Sequence, residues 1–364
     1  MCILSESLGN VLVRLHNLDI FKNWRLQPLS QKNPINVSEV GTLWQTYLEK
    51  TLIMRFLEYF IEKADDQQAR NLLGGLWQEL NFYVKEMEEV FNEQGMVKPV
   101  GFTADDVHLN APKLYDHGFD IMFVRVLKEV SMGLYTLNMN MTYNKKVMSI
   151  YEGLTTITQK IYKLATSYLL EKGILSPPPF VTMPRTVEFI KSKKYLEGFK
   201  LTGDKRPFND LEVGILHHTL ESNNIGMQLI TGFAQCAQNK EVKQYFLKGK
   251  ELAKKQIKIM EDMLLKADVQ LSAKSGATVT KSTVPPFSDK LMMHCIYILN
   301  GFSIVGSGAG VFFSLRNDIA MKAMLISKDI YLYAREGVEL KIKNGWFEEP
   351  PQIENRAEII KGNE

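Results

Sequence analysis

The chain has 364 residues with 44 Lys and Arg against 41 Asp and Glu, and a formal charge of +3 excludes a strongly basic or acidic protein. At 45% hydrophobic and 23% charged residues it has the composition of a folded globular protein rather than a disordered or fibrous one, and its length suggests two domains. Three scattered cysteines, Cys2, Cys236 and Cys295, are too few for a disulfide framework or a thiolate metal cluster and fit a reducing, cytoplasmic compartment.

Residues 1–35 carry Arg14, His16, Asp19 and Lys22 among their apolar residues and no small-residue cleavage site, so they read as an N-terminal arm, not an export signal. Beyond them the apolar spacing is helical throughout. It predicts helices over 37–63, 66–94, 113–142 and 145–172, then over 210–237, 240–267, 288–315 and 318–344. Similar lengths and short connections suit antiparallel four-helix bundles. The exception is the long second connection, 95–112 and 270–287, expected to cross over the bundle.

These eight helices form two copies. A shift of 173 residues lays Pro34-Ile35-Asn36-Val37-Ser38-Glu39-Val40-Gly41 on Pro207-Phe208-Asn209-Asp210-Leu211-Glu212-Val213-Gly214. Asn is a helix cap and Glu three residues on can reach back to it, so both runs announce a helix start. The same shift pairs Met54 with Met227, Phe60 with Phe233, Pro112 with Pro285, Gly133 with Gly306 and Asn144 with Asn317; near the end a shift of 172 brings Gly173 onto Gly345. The expected plan is an arm (1–35), a bundle (36–180), a linker (181–208), a second bundle (209–352) and a tail (353–364).

Four-helix bundles that hold two metals use Glu-x-x-His pairs, because residues three apart share a helix face. Six histidines are present and none has Glu three residues before it; Asp105 and His108 fall in a long loop. Helical periodicity places neutral Thr51, Tyr83, Asn224 and Gln256 inward, where such a site would need carboxylates and imidazoles. These four are the candidate interior polar residues, either packing the core or lining a ligand pocket. His217 and Glu221, one turn apart, are the candidate metal pair. No catalytic residue and no cofactor is expected. The linker lysines and arginine, Lys191, Lys193, Lys194, Lys200, Lys205 and Arg206, form the most basic run, with no nucleic-acid recognition fold around it.

From Leu291 to Leu315 no residue is charged, yet His294, Asn300 and three serines interrupt the stretch. It is expected to be the most buried helix of the second copy, with Gly306 and Gly310 against a neighbour, so that Gly306→Leu would destabilise by overpacking. A membrane span is not expected.

The runs Gly101-Phe102-Thr103-Ala104-Asp105-Asp106-Val107-His108-Leu109-Asn110-Ala111-Pro112, Gly203-Asp204-Lys205-Arg206-Pro207, Pro286-Phe287-Ser288-Asp289-Lys290-Leu291-Met292-Met293 and Asn344-Gly345-Trp346-Phe347-Glu348-Glu349-Pro350-Pro351 resemble an uncharacterised family of spore-forming bacilli. Its members carry one or two ferritin-like four-helix domains, some with a spore coat label. The resemblance, over about 36–352, implies an all-α fold of two tandem ferritin-like antiparallel bundles and implies no reaction. Where family members tend to carry a His, this chain has Gln256. The expectation is a non-catalytic structural or interaction protein, spore- or stress-associated, with a degenerate metal site. Its partner would be a protein or a second copy, and neither nucleic acid nor membrane. The alternative is a ferritin-like oxidative enzyme holding two metals or a small ligand.

Overall fold

The computed structural model of the protein describes residues 34–199, 205–269 and 278–362. The arm 1–35, with Cys2, lies almost wholly outside the described residues, as do Lys200, Gly203, Asp204 and part of the second crossover. The first copy contains α1 (Val37–Lys63), α2 (Gln67–Glu93), α3 (Phe119–Asn140) and α4 (Lys145–Glu171). The second contains α5 (Asp210–Cys236), α6 (Lys240–Leu265), α7 (Asp289–Phe313) and α8 (Asn317–Lys343), followed by a short α9 (Arg356–Ile360). The protein is all-α, a duplicated helical bundle.

Both predicted capping boxes form. Asn36 and Asn209 cap α1 and α5, and Glu39 and Glu212 reach back to the cap N–H groups. Each glutamate is also buried and joins two parts of its copy. Glu39 Oε1 accepts from the N–H groups of Tyr143 and Asn144, and Glu212 Oε1 from those of Leu315 and Arg316. This matching, with Asn144 and Arg316 both at the helix cap, shows that the shift has already become 172 at the last helix of each copy. The Asn144–Asn317 identity therefore does not mark equivalent positions.

The third helix starts at 119, not 113. Tyr115–Asp116 instead form a short strand, β1, and His117 and Gly118 follow with φ of 55° and 73°, left-handed values that interrupt a helix. β1 pairs antiparallel with β2 (Thr278–Val279), joining the two crossovers to each other. Val107 bridges Phe287, while the Thr280 N–H donates to the Leu114 carbonyl. Phe287 is the repeat counterpart of Leu114, and Thr280 of Val107, so the two pairs exchange when the copies are exchanged. The copies are related by an approximate twofold axis through their paired crossovers.

Around that axis an aromatic cluster closes the molecule: the Phe56 ring stands 4.3 Å from Phe287, 5.2 Å from Phe123 and 6.3 Å from Phe233. Residues 35–364 form one compact unit whose main core runs through both copies. Helices meet across the axis in two seams, α1 against α7 and α3 against α5, which exchange under the same operation.

The helix expected to be most buried is not. α7 buries Leu291 to Ile296 and Gly310, but only 11% of its most apolar 18-residue stretch is buried. Gly310 does lie against Ile215 and Ala323, whereas Gly306 faces open space. The cause is side-chain loss: where α3 has Lys128 and Tyr135, fully buried, α7 has Gly301 and Gly308. With fewer large groups to anchor it inward, the second half of α7 exposes Val305, Phe312 and Phe313, and α8 beside it exposes Met321, Met324 and Leu325.

Candidate binding sites

The four interior polar candidates do not converge. Thr51 Oγ1 donates to carbonyls of its own helix, Tyr47 and Leu48, and accepts the Phe102 N–H, so it tethers the first crossover. Tyr83 reaches from α2 across Gly153 of α4, which has no side chain to obstruct it. Asn224 Nδ2 donates to the Leu220 carbonyl one turn back. Only Gln256 enters a cavity. Among the described residues its buried Nε2 has no partner, and the surrounding space of about 110 Å³ lies between the second bundle and Phe123 and Val126 of α3, reached also by Ser222, Asn223, Asn300 and Tyr333. Tyr245 and Tyr333 stack beside it at 4.2 Å, each hydroxyl donating to the other's backbone carbonyl.

The equivalent interior of the first copy is filled by charged groups that periodicity did not single out. Lys50 and Lys128 are fully buried, and among the described residues neither Nζ has a hydrogen-bond partner; Glu49 lies 3.8 Å from Lys50. The Lys50 ammonium stands 4.8 Å above the Tyr135 ring. Burial, reinforced by Lys50, drives the Lys128 pKa well below its ordinary value, and burial pushes the Glu49 carboxyl up against the opposing pull of Lys50. The repeat counterparts of Glu49, Lys50 and Lys128 are Ser222, Asn223 and Gly301. Ser222 and Asn223 line the second copy's cavity, where their shorter side chains leave room.

Of the candidate metal pair, Glu221 is drawn into an ion cluster at the α3–α5 seam. Glu221 takes the Arg125 guanidinium at 2.5 Å, and Arg125 also donates to Tyr162 and Thr166 and stands 3.3 Å from Glu129. His218, rather than His217, faces Glu129, at 3.5 Å. Burial raises the Glu129 carboxyl, partly offset by His218 and Arg125, and burial lowers His217. No group of three His, Cys, Asp or Glu side chains among the described residues is placed to hold a metal ion. In the loop, His108 Nδ1 contacts the Pro285 carbonyl at 2.9 Å and its N–H donates to Pro286, so this histidine fastens the crossovers. The basic linker is partly neutralised: Lys205 pairs with Asp318, and Arg206 with Glu212 while stacking on Tyr195.

The opposite seam, α1 against α7, holds a pocket that sequence reasoning missed. Trp44 of α1, Phe102 of the crossover, Tyr297 of α7 and Trp346 and Phe347 after α8 supply aromatic walls, with His294 and Lys290 among them. Lys341 is fully buried behind it, its Nζ 2.8 Å from His294 Nδ1 and 4.6 Å and 4.4 Å over the Tyr297 and Phe347 rings. Burial, aided by Lys290, lowers Lys341 to about 7 against the pull of Glu348, and burial drives His294 well below its usual value. Glu348 spends its two oxygens on the Val100 and Gly101 N–H groups. A signal for this site existed: Ile330, Tyr333, Gly337 and Lys341 are the buried line of α8, spaced three and four apart, and the charge ends it.

The model of a family described as "Protein of unknown function (DUF3231)" matches the chain twice, over residues 25–187 and 196–359. The first match begins inside the stretch read as an arm, the second inside the linker. No curated protein matches. A solved structure from Bacillus halodurans C-125, named provisionally as a spore coat protein, is 17% identical and aligns with 41% of this chain and 98% of its own at a TM-score of 0.39. That score is too low to carry the fold assignment, which rests on the helices described above.

Proposed function

The chain belongs to the DUF3231 family of proteins of unknown function, and from its own residues we propose a non-catalytic, ferritin-like structural or interaction protein that self-associates through the α7–α8 hairpin. The observation that carries this reading is the apolar surface of that hairpin, where Phe312 is 79% and Leu325 54% exposed. Monomeric proteins rarely leave a contiguous apolar patch of this kind open to water. A second copy is favoured over a bilayer because the first turns of α7 are already committed to the protein core. The remaining residues 297–313 would span about 25 Å, short of the ~30 Å hydrocarbon layer. Lys322, Lys328 and Asp329 also punctuate α8.

The degenerate metal site is part of the same proposal, supported by Lys50 and Lys128, which fill the interior of the first copy where a di-metal site would need carboxylates and imidazoles. The division into units 36–180 and 209–352 belongs to it too. Limited proteolysis within 181–199 is expected to leave two fragments that stay associated through their shared core. A cytoplasmic, spore-associated location enters through the sequence resemblance, and immunoblotting of purified spore-coat extracts tests it.

Light scattering coupled to size exclusion tests the self-association. The expected result is a dimer or larger species that Phe312→Glu with Leu325→Glu converts to a folded monomer. A wild-type monomer at about 50 μM, or an oligomer indifferent to the double substitution, overturns the reading. Co-flotation of wild-type protein with anionic vesicles would place a membrane on this face instead.

A further inference from the structure

The α1–α7 seam pocket has a chemistry of its own, independent of the hairpin surface. Its walls are aromatic, and its space of about 60 Å³, under half the ~150 Å³ cavity that encloses a benzene ring, opens past exposed Gly41 and Gln45, so a ring seats against the walls without being enclosed. Its polar groups are mainly donors. Among the described residues the Trp44 indole N–H has no partner, but it is itself covered and does not open into the pocket. Lys290 presents an ammonium that reaches the Gly101 carbonyl at 3.0 Å and lies 4.9 Å over the Phe102 ring. The one carboxylate among the lining groups, Glu348, is occupied by backbone N–H groups.

His294 is oriented by its neighbour. An ammonium can only donate, so protonated Lys341 makes Nδ1 the acceptor and leaves the ring proton on Nε2. The two aromatic faces over Lys341 Nζ hold it in that position. The pocket thus offers a histidine N–H and a nearby ammonium to whatever enters, within walls suited to a flat apolar body. A carboxylate satisfies such donors with charge-assisted hydrogen bonds; a cation would meet Lys290 and Lys341.

We propose that this seam pocket binds a small aromatic monocarboxylate, its ring among Trp44, Phe102 and Trp346 and its carboxylate on His294 Nε2–H and Lys290. The groups facing Lys341 are His294, Lys290 and Tyr297 from α7 and Glu348 from the segment after α8. An anion arriving beside them favours the protonated amine, so binding above neutral pH takes up a proton. Lys341 is a positioning residue, since it acts through His294.

Isothermal titration with benzoate as probe tests this, run at pH 8 in two buffers of different ionisation enthalpy. Saturable one-to-one binding is expected with net proton uptake, while benzylamine, of similar size and opposite charge, does not bind. His294→Phe, which keeps the aromatic bulk, is expected to weaken benzoate at least about tenfold, the usual worth of a hydrogen bond to a charged group. Trp44→Phe is expected to weaken it several-fold. Lys341→Met should abolish the proton uptake, a readout that loss of packing alone would not move. Failure of folded wild-type protein to bind benzoate up to 10 mM overturns the proposal. So do equal binding of benzylamine, or of acetate, and an affinity unchanged in folded His294→Phe.

Discussion

The two seams across the approximate twofold occupy the same place in the fold and have opposite contents. At one, Arg125 gathers Glu129 and Glu221, with His218 beside them. At the other, the counterparts of His217, His218 and Glu221 are Trp44, Gln45 and Leu48, and those of Arg125 and Glu129 are Ile298 and Phe302. The first seam is charged, with one guanidinium shared between two carboxylates; the second is apolar and holds a pocket. A helix-packing geometry therefore fixes where a site can be and leaves its chemistry to a handful of side chains.

The sharpest way to break this contrast is to remove the hub of the charged seam. Arg125→Met leaves two largely buried carboxylates without their cation and is expected to cost about 3–5 kcal/mol in urea unfolding at pH 7. A loss below about 1 kcal/mol would mean that the cluster is not a closed unit. In the pocket seam the signature is pH dependence. Lys341 titrates near 7 in the folded protein and near 10.5 when unfolded. Between those values the unfolded chain binds the extra proton, so stability rises with pH across that window. The group's share is up to roughly 4 kcal/mol by this linkage. Chemical denaturation at pH 7 and pH 10 should show a rise that Lys341→Met flattens.

A smaller effect tests the exposed end of α7. Gly306 has open space where a Cβ would stand, so Gly306→Ala is expected to stabilise by about 0.5–1 kcal/mol through helix propensity, and the overpacking anticipated for Gly306→Leu should not occur. Smallest of all, His218 is half exposed, and His218→Ala should change the stability measured by urea unfolding by no more than about 0.5 kcal/mol, because a solvent-exposed partner adds little to a pair already held by Arg125.

Helix positions and the duplication were legible because caps and apolar periodicity are local. Asn36 with Glu39, and Asn209 with Glu212, form the predicted boxes. The interior was less legible where a helix is covered on several sides. α1 meets α2, α3 and α7, so it buries Glu49, Lys50 and Thr46 as well as its apolar stripe, and a single-face periodicity misassigns which polar groups are inside. α7 failed for the converse reason: its sequence has the hydropathy of a core helix while its glycines remove the side chains that would seat it. The seam pocket left one sequence signal, the charge that ends the buried line of α8 at Lys341, but its walls were not legible, because Trp44 and Phe102 reach His294 only through pairing of the two copies.

That pairing is isologous, with each crossover offering the other the same groups it receives. A single copy therefore carries every element needed to pair with another of its kind, and in such a homodimer one substitution would alter both seams at once. Covalent joining of the copies removes that constraint. Once one gene specifies both halves separately, the α3–α5 seam can carry an ion cluster while the α1–α7 seam keeps an aromatic pocket, and one half can keep a dense interior while the other exposes its last helical pair. The duplication thus acts here as a licence for asymmetry, which two identical subunits could not express.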